Sequence, residues 1–337
     1  MKMDSPLQPS DWTRILAAYR QPKLSRSLFE LAVTLVPLLA LWALAWWMVS
    51  VSTALAVALS LLNAAFLVRT FMIQHDCGHG SFFKNRTLND WLGRGLGILT
   101  LTPYDVWRRN HATHHASTGN LERRGTGDIP TLTVREYREK SPLGRFLYRL
   151  LRNPFFLFGV VPFYAFVLQN RLPLGQMRAG WRPWVSALVT DAAIIAIIGM
   201  ILWLGGWKVL VFAFLPTILL SASAGMWLFF VQHQFEHTSW DHEENWNVQA
   251  AALNGSSHYA LPGILRWVTA NIGVHHVHHL AARIPFYRLD EVMRDYDVLA
   301  QSQRLTIRDS LHCARLHLWC EKNRRLLSFA EARALSA

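Results

Sequence analysis

The chain has 337 residues, of which 52% are hydrophobic and 17% are charged, below the roughly 25% charge content of soluble domains. Its net charge of +12 would suggest nucleic-acid binding in a soluble protein, but here the charges lie between long apolar runs, as in membrane proteins. We therefore expect no nucleic-acid partner. The three cysteines are too few for a disulfide framework and fit a reducing compartment.

The first long apolar stretch follows a polar, basic N-terminal segment, residues 1–30, which has no cleavable hydrophobic core and is predicted to be cytoplasmic. No residue in the range Leu31–Val68 is charged, and this range is nearly twice the roughly 20 residues that one membrane crossing needs. We therefore predict two crossings, at about 31–50 and 53–72, joined by a tight turn at Ser50–Thr53.

The second long apolar stretch runs from about residue 184 to residue 231 and is interrupted by the sequence GGWK at Gly205–Lys208. Glycine pairs of this kind favour a turn, so the interruption divides the stretch into two parts that are each long enough to cross a bilayer. We predict crossings at about 184–204 and 209–231.

A shorter apolar run at 153–170 could either cross the membrane or lie along its surface. Lys and Arg mark the cytoplasmic side of a membrane protein. If the run lies in the interface, every Lys and Arg except Lys208 falls on one side, and if it spans, that bias is lost. We therefore predict an all-α integral membrane protein with four crossings in two hairpins, an interfacial segment and a cytoplasmic helical cap. The membrane domain would cover 31–300, and a cytoplasmic C-terminal helical tail would cover 301–337.

Eight of the 15 histidines form three clusters that follow the predicted hairpins. Residues three and four apart share one face of a helix, so each cluster should direct two or three imidazoles to one point. Imidazole is the commonest metal ligand and suits iron, copper and zinc. The clusters are HDCGH, with His75 and His79; HATHH, with His111, His114 and His115; and HHVHH, with His275, His278 and His279.

The predicted topology places all three clusters on one side of the membrane, because two crossings separate the first two clusters from the third. A crossing at 153–170 would put the third cluster on the opposite side, so the metal interpretation and the charge distribution favour the same topology. Eight histidines exceed the needs of one metal and fit two metals with four or five ligands each. The predicted site is a two-metal centre with nearly all-nitrogen ligands.

These three motifs resemble the histidine boxes of the integral-membrane fatty acid desaturase family, which carries H-x3-4-H, H-x2-3-HH and a distal H/Q-x2-3-HH box. Two longer stretches are similar to bacterial acyl-lipid desaturases: LTPYDVWRRNHATHHASTGNLERRGTGDIPTLTVREY and NIGVHHVHHLAARIPFYRL. The resemblance implies four membrane helices and two histidine-bound irons. It also implies O₂ as co-substrate and the insertion of a cis double bond into a membrane-lipid acyl chain. The HDCGH form resembles the branch that includes Δ12/ω6-type enzymes.

The family usually has a ninth ligand, and the resemblance offers three candidates for it. LFFVQHQFEH resembles the element that closes the fourth helix, which makes His233 the first choice and His237 the third. NGSSH places His258 second. His276 should point away from the face that its neighbours share. His242 lies in a polar loop and is expected to be solvated.

Other polar residues near the boxes are candidates to orient the ligands. A metal-bound histidine usually donates its second ring N–H to a carboxylate or a carbonyl. Sequence alone does not pair these residues with particular histidines. The candidates are Asp76, Asp105, Asp128, Glu236 and Asn254.

The sequence has no GxGxxG dinucleotide fingerprint, flavin element or fused haem domain, so no bound flavin or nicotinamide is expected and electrons should come from a separate protein. The resemblance implies ferredoxin as the donor and the bacterial inner membrane as the location, with a cytoplasmic active site. Three alternatives stay open: a hydroxylase or ketolase on the same scaffold, a metal or haem transport protein, and a weak zinc site in the tail. That tail site would consist of His312, Cys313, His317 and Cys320.

Overall fold

The structure is a computed structural model that describes residues 9–125 and 127–335; the first residues of the predicted N-terminal segment and the last two of the tail lie outside this range. The helices are α1 (Pro9–Ile15), α2 (Leu24–Met48), α3 (Thr53–His79), α4 (Arg86–Leu99), α5 (Tyr104–Ser117), α6 (Val134–Glu139), α7 (Pro142–Leu151), α8 (Val161–Phe163), α9 (Trp181–Val209), α10 (Leu215–His233), α11 (Val248–Asn254), α12 (Gly263–Val268), α13 (His275–Leu280), α14 (Leu289–Asp295), α15 (Asp297–Gln301), α16 (Ile307–Cys313) and α17 (Phe329–Ala334). The strands are β1 (Leu132–Thr133), β2 (His258–Tyr259), β3 (Arg304–Leu305), β4 (Leu318–Cys320) and β5 (Arg325–Leu327).

Helices α2 and α3 form an antiparallel hairpin at the predicted turn. The Ser52 side chain caps α3 by accepting a hydrogen bond from the backbone N–H of Leu55. Buried polar contacts then hold the two helices together, and the Asn63 amide donates to the carbonyl of Leu38 at 3.0 Å. Helix α3 is longer than the predicted crossing and ends only at His79, where Gly80 adopts a left-handed conformation with φ 69°. The first histidine box therefore occupies the last turns of a long apolar helix.

The second apolar stretch is helical from Trp181 to His233 and doubles back at Gly206, which has φ 74° and ψ 177°. Its first part accepts a hydrogen bond from the α5 backbone at Asp105, and its last residue lies 3.2 Å from the α5 side chain of His114. Those two α5 positions are about 14 Å apart, whereas a straight helix of 53 residues would extend about 80 Å. The two parts are therefore antiparallel, with the reversal inside the predicted GGWK turn.

Within the described residues, three helical stretches are long and apolar enough to cross a membrane. They are Leu24–Met48, Thr53–His79 and the doubled-back Trp181–His233. A fourth candidate is a bent pair made of Pro142–Leu151 and Phe156–Arg171, whose parts meet at 60°. The structure is thus mostly helical with three or four apolar candidate spans, in agreement with an all-α membrane protein.

The bent segment after α7 begins and ends at the histidine end of the helices. At its start, the buried Arg152 guanidinium donates to the side chain of Gln234, next to the end of α10, at 2.8 Å. Just after its end, Gln176 donates to the backbone of Val106 on α5 at 2.8 Å. Helix α5 and the end of α10 both carry histidines. Both ends of the segment therefore lie at the end of the helix bundle that holds the histidines.

The prediction of a helical tail is wrong for the residues between α16 and α17. Strands β4 and β5 pair as an antiparallel hairpin, and β4 also pairs in parallel with β1. The hairpin buries apolar side chains on both of its faces: Trp319 and Leu326 pack with Leu121 and Trp240, whereas Leu318 packs with Tyr137 and Tyr148. Side chains alternate along a strand, so the consecutive residues Leu318 and Trp319 are both buried, on opposite faces of the hairpin.

The main hydrophobic core lies beside the histidines and fixes the helices that carry them. Ile73 and Cys77 lie between and beside the α3 histidines, Val231 precedes the end of α10, and Val277 occupies the middle of α13; all four are fully buried. Burying such side chains is the dominant stabilising contribution to folding. The direction of each imidazole is therefore set by the packing of the opposite side of its helix.

Candidate metal centre

The close approach of α3 and α5 depends on a glycine in the first histidine box. A Cβ at Gly78 would lie 2.7 Å from the Trp107 ring, so a larger residue would separate the two helices. Trp107 in turn stacks on His111, with ring centroids 4.7 Å apart and nearly parallel planes. The Tyr104 hydroxyl ties the start of α5 to α3 by donating to the Cys77 carbonyl at 2.9 Å. The first and second boxes are thereby held together.

The third box is a short helix that begins against the chain after α10. The backbone N–H of His275 donates to the carbonyl of Ser257 at 3.1 Å. Gly273 permits this close approach, because a Cβ there would lie 2.4 Å from the carbonyl oxygen of Tyr259. His233, the last residue of α10, lies directly opposite, with its Nε2 3.0 Å from that of His275.

Nine histidines from these elements form two groups, in each of which one ring nitrogen of every histidine lies within 4.8 Å of those of the others. We call them the five-histidine group and the four-histidine group. The first consists of His75, His79, His111, His115 and His278, and the second of His114, His233, His275 and His279.

The division does not follow the sequence motifs. We predicted that each box directs its imidazoles to one point, but the second box sends His114 to one group and His115 to the other. The third box is divided in the same way between His278 and His279. Adjacent residues on a helix differ in direction by about 100°, so a tandem pair cannot share one face. That part of the prediction is wrong.

The distances between ring nitrogens fit a shared cation and do not fit hydrogen bonding alone. The Nε2 atom of His111 lies 2.9 Å from that of His75, 3.0 Å from that of His79 and 3.1 Å from that of His115. A neutral imidazole nitrogen carries either one hydrogen or one lone pair, so it cannot make three such bonds at once. Two nitrogens bound to one metal at about 2.1 Å and at right angles are roughly 3.0 Å apart.

Two of the outer ring nitrogens have partners that fix the tautomer of the ring. His114 Nδ1 donates to the Asp128 carboxylate at 2.6 Å, and His233 Nδ1 donates to the carbonyl of Gly255 at 3.0 Å. In both rings the Nε2 lone pair is then free to face the other histidines. This is the arrangement that orients metal-bound imidazoles. Asp128 is one of the carboxylates proposed from sequence, and Gly255 contributes a backbone atom that no sequence pattern reports.

Five of the grouped histidines that lie outside the membrane helices are held neutral. Burial, reinforced by the neighbouring imidazoles, lowers the pKa well below its usual value in each of these rings. A neutral imidazole keeps the lone pair that a metal needs, so the site favours ligation over protonation. The rings concerned are those of His111, His115, His275, His278 and His279.

The other histidine candidates lie elsewhere. His258 donates from Nδ1 to the carbonyl of Ala300 at 2.8 Å, and His237 is exposed. His276 points away from both groups, as predicted, and its Nε2 donates to the carbonyl of Leu299. His242 is half-exposed at the surface between two glutamates.

The remaining polar candidates do not contact a histidine of either group through a hydrogen bond in the described residues. Asp76 accepts the backbone N–H of Phe286 at 2.8 Å and stays 3.7 Å from the Nδ1 atom of His75. Asp105 pairs with an arginine on α4, Glu236 pairs with one in β5, and Asn254 is exposed. The tail residues His312, Cys313, His317 and Cys320 form no metal-binding group within the described residues.

Comparison with known proteins gives the family. The sequence model of the family described as fatty acid desaturase matches residues 52–310, a range that contains all nine grouped histidines. The chain belongs to the fatty acid desaturase family. It is 42% identical over 317 residues to a fatty acid desaturase of Bacillus subtilis, which covers 94% of this chain and 90% of the relative. The protein is therefore an oxidoreductase that acts on fatty acids.

More distant relatives carry more specific names. An sn-1 acyl-lipid omega-3 desaturase (ferredoxin) of Synechocystis sp. is 29% identical over 242 residues, 68% of this chain and 64% of the relative. An sn-1 oleoyl-lipid 12-desaturase of the same organism is 30% identical over 227 residues, 66% of this chain and 63% of the relative. The matched part of this desaturase thus spans less than two thirds of each Synechocystis protein.

The desaturase has a cavity of about 240 Å³ that reaches both histidine groups. His75 and His111 of one group and His114 and His275 of the other contribute to its wall. Away from the histidines the wall is almost entirely apolar, and sequence patterns gave no indication of its shape. The apolar lining consists of Leu67, Val68, Phe71, Met72, Leu99, Leu101, Trp107, Phe166, Ile218, Ala222, Met226, Leu228, Phe229 and Ile272.

Proposed function

We propose that this desaturase inserts a cis double bond into the acyl chain of a membrane lipid, using O₂ and two irons held by the nine grouped histidines. The observation that supports this most directly is a mostly apolar cavity that is bordered by both histidine groups. Such a cavity suits an acyl chain rather than a polar substrate, because unpaired polar groups are costly to bury.

Iron is the metal that the proposed chemistry requires. An unactivated methylene has no acidic hydrogen, so its removal needs a redox metal and O₂, and that chemistry belongs to the bound metals. The all-nitrogen ligand set fits iron, and it also fits zinc, which has no redox chemistry. The nitrogens proposed as ligands are those of His75, His79, His111, His114, His115, His233, His275, His278 and His279.

The residues of the chain hold the substrate and exclude water. The apolar wall would bend an acyl chain past the imidazoles that face the cavity, where Trp107 and Phe229 lie against His111 and His114. Positioning to within about 1 Å decides which carbons react, so the wall sets the position of the double bond. From the HDCGH resemblance we propose that the double bond is inserted at the Δ12/ω6 position. Two of the relatives are named 12-desaturase, which supports this position.

We further propose four crossings within a membrane domain at 31–300, with the histidine end and both termini in the cytoplasm. The two hairpin turns lie together at the opposite end, since a Cβ at Gly205 would lie 2.7 Å from the Trp46 ring. Trp203 and Trp207 are 84% and 60% exposed there, as in an aromatic belt. Lys208 lies at this end as well, in agreement with the charge distribution. In a bacterium this is the inner membrane.

The segment at 153–170 is proposed to lie in the cytoplasmic interface. It begins and ends at the histidine level, and Phe155 is 89% exposed at its start. Helix α7 just before it exposes Leu143, Phe146 and Leu147 on one side, as expected of a helix that lies on a bilayer. We propose that electrons come from a separate ferredoxin. The omega-3 desaturase of Synechocystis sp. is named for this donor.

The test is lipid analysis of cells that express the protein. A His278→Ala, His279→Ala double variant removes one proposed ligand from each group, and His237→Ala is the matched control because His237 is exposed and outside both groups. Fatty acid methyl esters are analysed by gas chromatography–mass spectrometry with double-bond localisation, and iron is measured in the purified proteins. We expect a new unsaturated species and bound iron for wild type and the control, and neither for the double variant.

Other outcomes would reassign the function. A hydroxy or keto product would identify a hydroxylase or ketolase on the same scaffold. Bound metal without any O₂-dependent lipid product, with ferredoxin and reductase supplied, would favour the metal transport alternative. A double bond at another carbon would keep the desaturase and replace the Δ12/ω6 proposal.

A further inference from the structure

One face of α10 forms a long wall of the cavity. The lining positions include Ile218, Ala222, Gly225, Phe229 and Gln232, which recur every three or four residues and therefore share one helical face. Gly225 lies at the centre of this face, so the space next to its Cα belongs to the cavity. Phe229 makes the wall bulky near the histidines, whereas one turn further along Gly225 contributes no side chain and its neighbours Ala222 and Met226 form the wall.

Packing does not require the glycine at position 225. A Cβ built there meets no atom within 4 Å, and its backbone φ is not in the left-handed region. By contrast, a Cβ at Gly93 or Gly273 would lie 2.2 or 2.4 Å from a neighbouring atom, so those two glycines are needed for close packing. Glycine within a helix lowers helix stability relative to alanine. The consequence of glycine at 225 is therefore additional cavity volume.

The additional volume at Gly225 lies between the histidines and Ile218 along the cavity. Gly225 lies about 12 Å along α10 from His233, and Ile218 lies about 10 Å further, at 1.5 Å per residue. On the opposite wall, Leu67 lies about 12 Å along α3 from His75. Beyond Ile218, α3 and α10 are joined by the Ser60–Thr217 hydrogen bond of 2.8 Å. An acyl chain that runs along this face of α10 from the histidines to Ile218 passes Gly225.

We propose that Gly225 is a specificity-determining residue: its missing side chain allows an acyl chain to extend past the middle of the cavity to Ile218. This inference rests on the proposed function, since it assumes an acyl chain in the cavity. A side chain at 225 would shorten the usable cavity and exclude the longest chains first. A smaller side chain at 218 would lengthen it.

The experiment compares Gly225→Leu and Ile218→Ala with wild type, and uses Gly199→Leu as the matched control. Gly199 also lies within an apolar helix with no atom within 4 Å of a Cβ, but it does not line the cavity. Each protein is expressed in a host supplied with saturated and mono-unsaturated acyl chains of 14 to 18 carbons. Products are quantified by chain length, and binding of fluorescent fatty acyl probes of graded length is measured on the purified proteins.

We expect Gly225→Leu to lose at least tenfold more activity and binding with the longest chains than with the shortest, Ile218→Ala to shift in the opposite direction, and Gly199→Leu to match wild type. The inference is overturned if neither cavity variant changes the chain-length preference, or if Gly199→Leu changes it equally. Absence of any new double bond from wild type would refute the proposed function instead. The binding series would still decide the role of Gly225, because it does not depend on turnover.

Discussion

The hydrogen bond from His114 to Asp128 offers a sharp test of how the four-histidine group is organised. The His114 side chain is 1% exposed and that of Asp128 is 6% exposed, and the Nδ1–Oδ1 distance of 2.6 Å is that of a charge-assisted bond. In Asp128→Ala the buried Nδ1–H keeps only the Thr118 hydroxyl, 3.5 Å away, as an acceptor, and the loss of its short bond costs about 1–3 kcal/mol. The ring then loses the partner that holds its Nε2 toward the other histidines.

We therefore expect Asp128→Ala to weaken metal retention by roughly 10- to 100-fold, the range found when such orienting partners are removed. Asp128→Asn should lose less, because its amide oxygen still accepts a hydrogen bond. The assay is iron retained by the purified protein during titration with a chelator, with desaturation measured in parallel. Asp105→Ala is the control, since Asp105 lies on α5 but pairs with Arg94 and not with a histidine. Equal iron retention by Asp128→Ala and wild type would refute the reasoning.

Three further perturbations test other parts of the structure. Glu30→Gln leaves the buried Arg69 guanidinium without its carboxylate, so we expect a loss of about 3–5 kcal/mol in stability, measured as thermal unfolding in detergent. His242→Gln should lower the melting temperature near about pH 6 and have no effect near about pH 9, because two glutamates raise the pKa of His242 and its bridge is lost as pH rises through that value. Gly273→Ala should disrupt the third box, because the new Cβ meets the Tyr259 carbonyl, and should reduce bound iron.

For each of these three predictions, a specific result would contradict it. For the first, unfolding of Glu30→Gln at the wild-type temperature would show that the ion pair contributes no net stability. For the second, a His242→Gln defect that persists at alkaline pH would point to packing rather than charge. For the third, Gly199→Ala is the control, and normal iron content in Gly273→Ala would show that the backbone can move away without harm to the site.

The sequence was sufficient to place the histidines because their spacing is a local property of helices. His75 with His79, and His111 with His115, lie one turn apart and meet in the same group, as their i,i+4 separation predicts. The turn at Gly205–Lys208 was also recognisable, since apolar runs of this length have to be divided into crossings.

Other features depend on contacts that sequence spacing does not report. Nothing near Gly255 indicates that its carbonyl accepts the Nδ1–H of His233, because any residue supplies a carbonyl. The tail hairpin at β4 and β5 was missed because its strands are only three residues long, too short for an alternating pattern. Its burial is decided by Leu121 and Trp240, which lie far away in sequence. The contact of Trp107 could have been predicted from sequence, because Trp107 precedes His111 by four residues and therefore lies one helical turn from it. In the structure the two rings stack.

The tandem histidines explain why the two groups lie side by side. In HATHH and in HHVHH, one member of the HH pair belongs to each group, so the groups are connected twice through a single peptide unit. Consecutive Cα atoms are about 3.8 Å apart, and this covalent spacing cannot drift as side chains move. The rings of His115 and His279, one from each group, stack in parallel at 4.0 Å and reinforce the connection. Two separate metal sites would need no such pair, whereas the two metals proposed to act on one acyl chain would have to keep a fixed separation, which the HH pairs would provide.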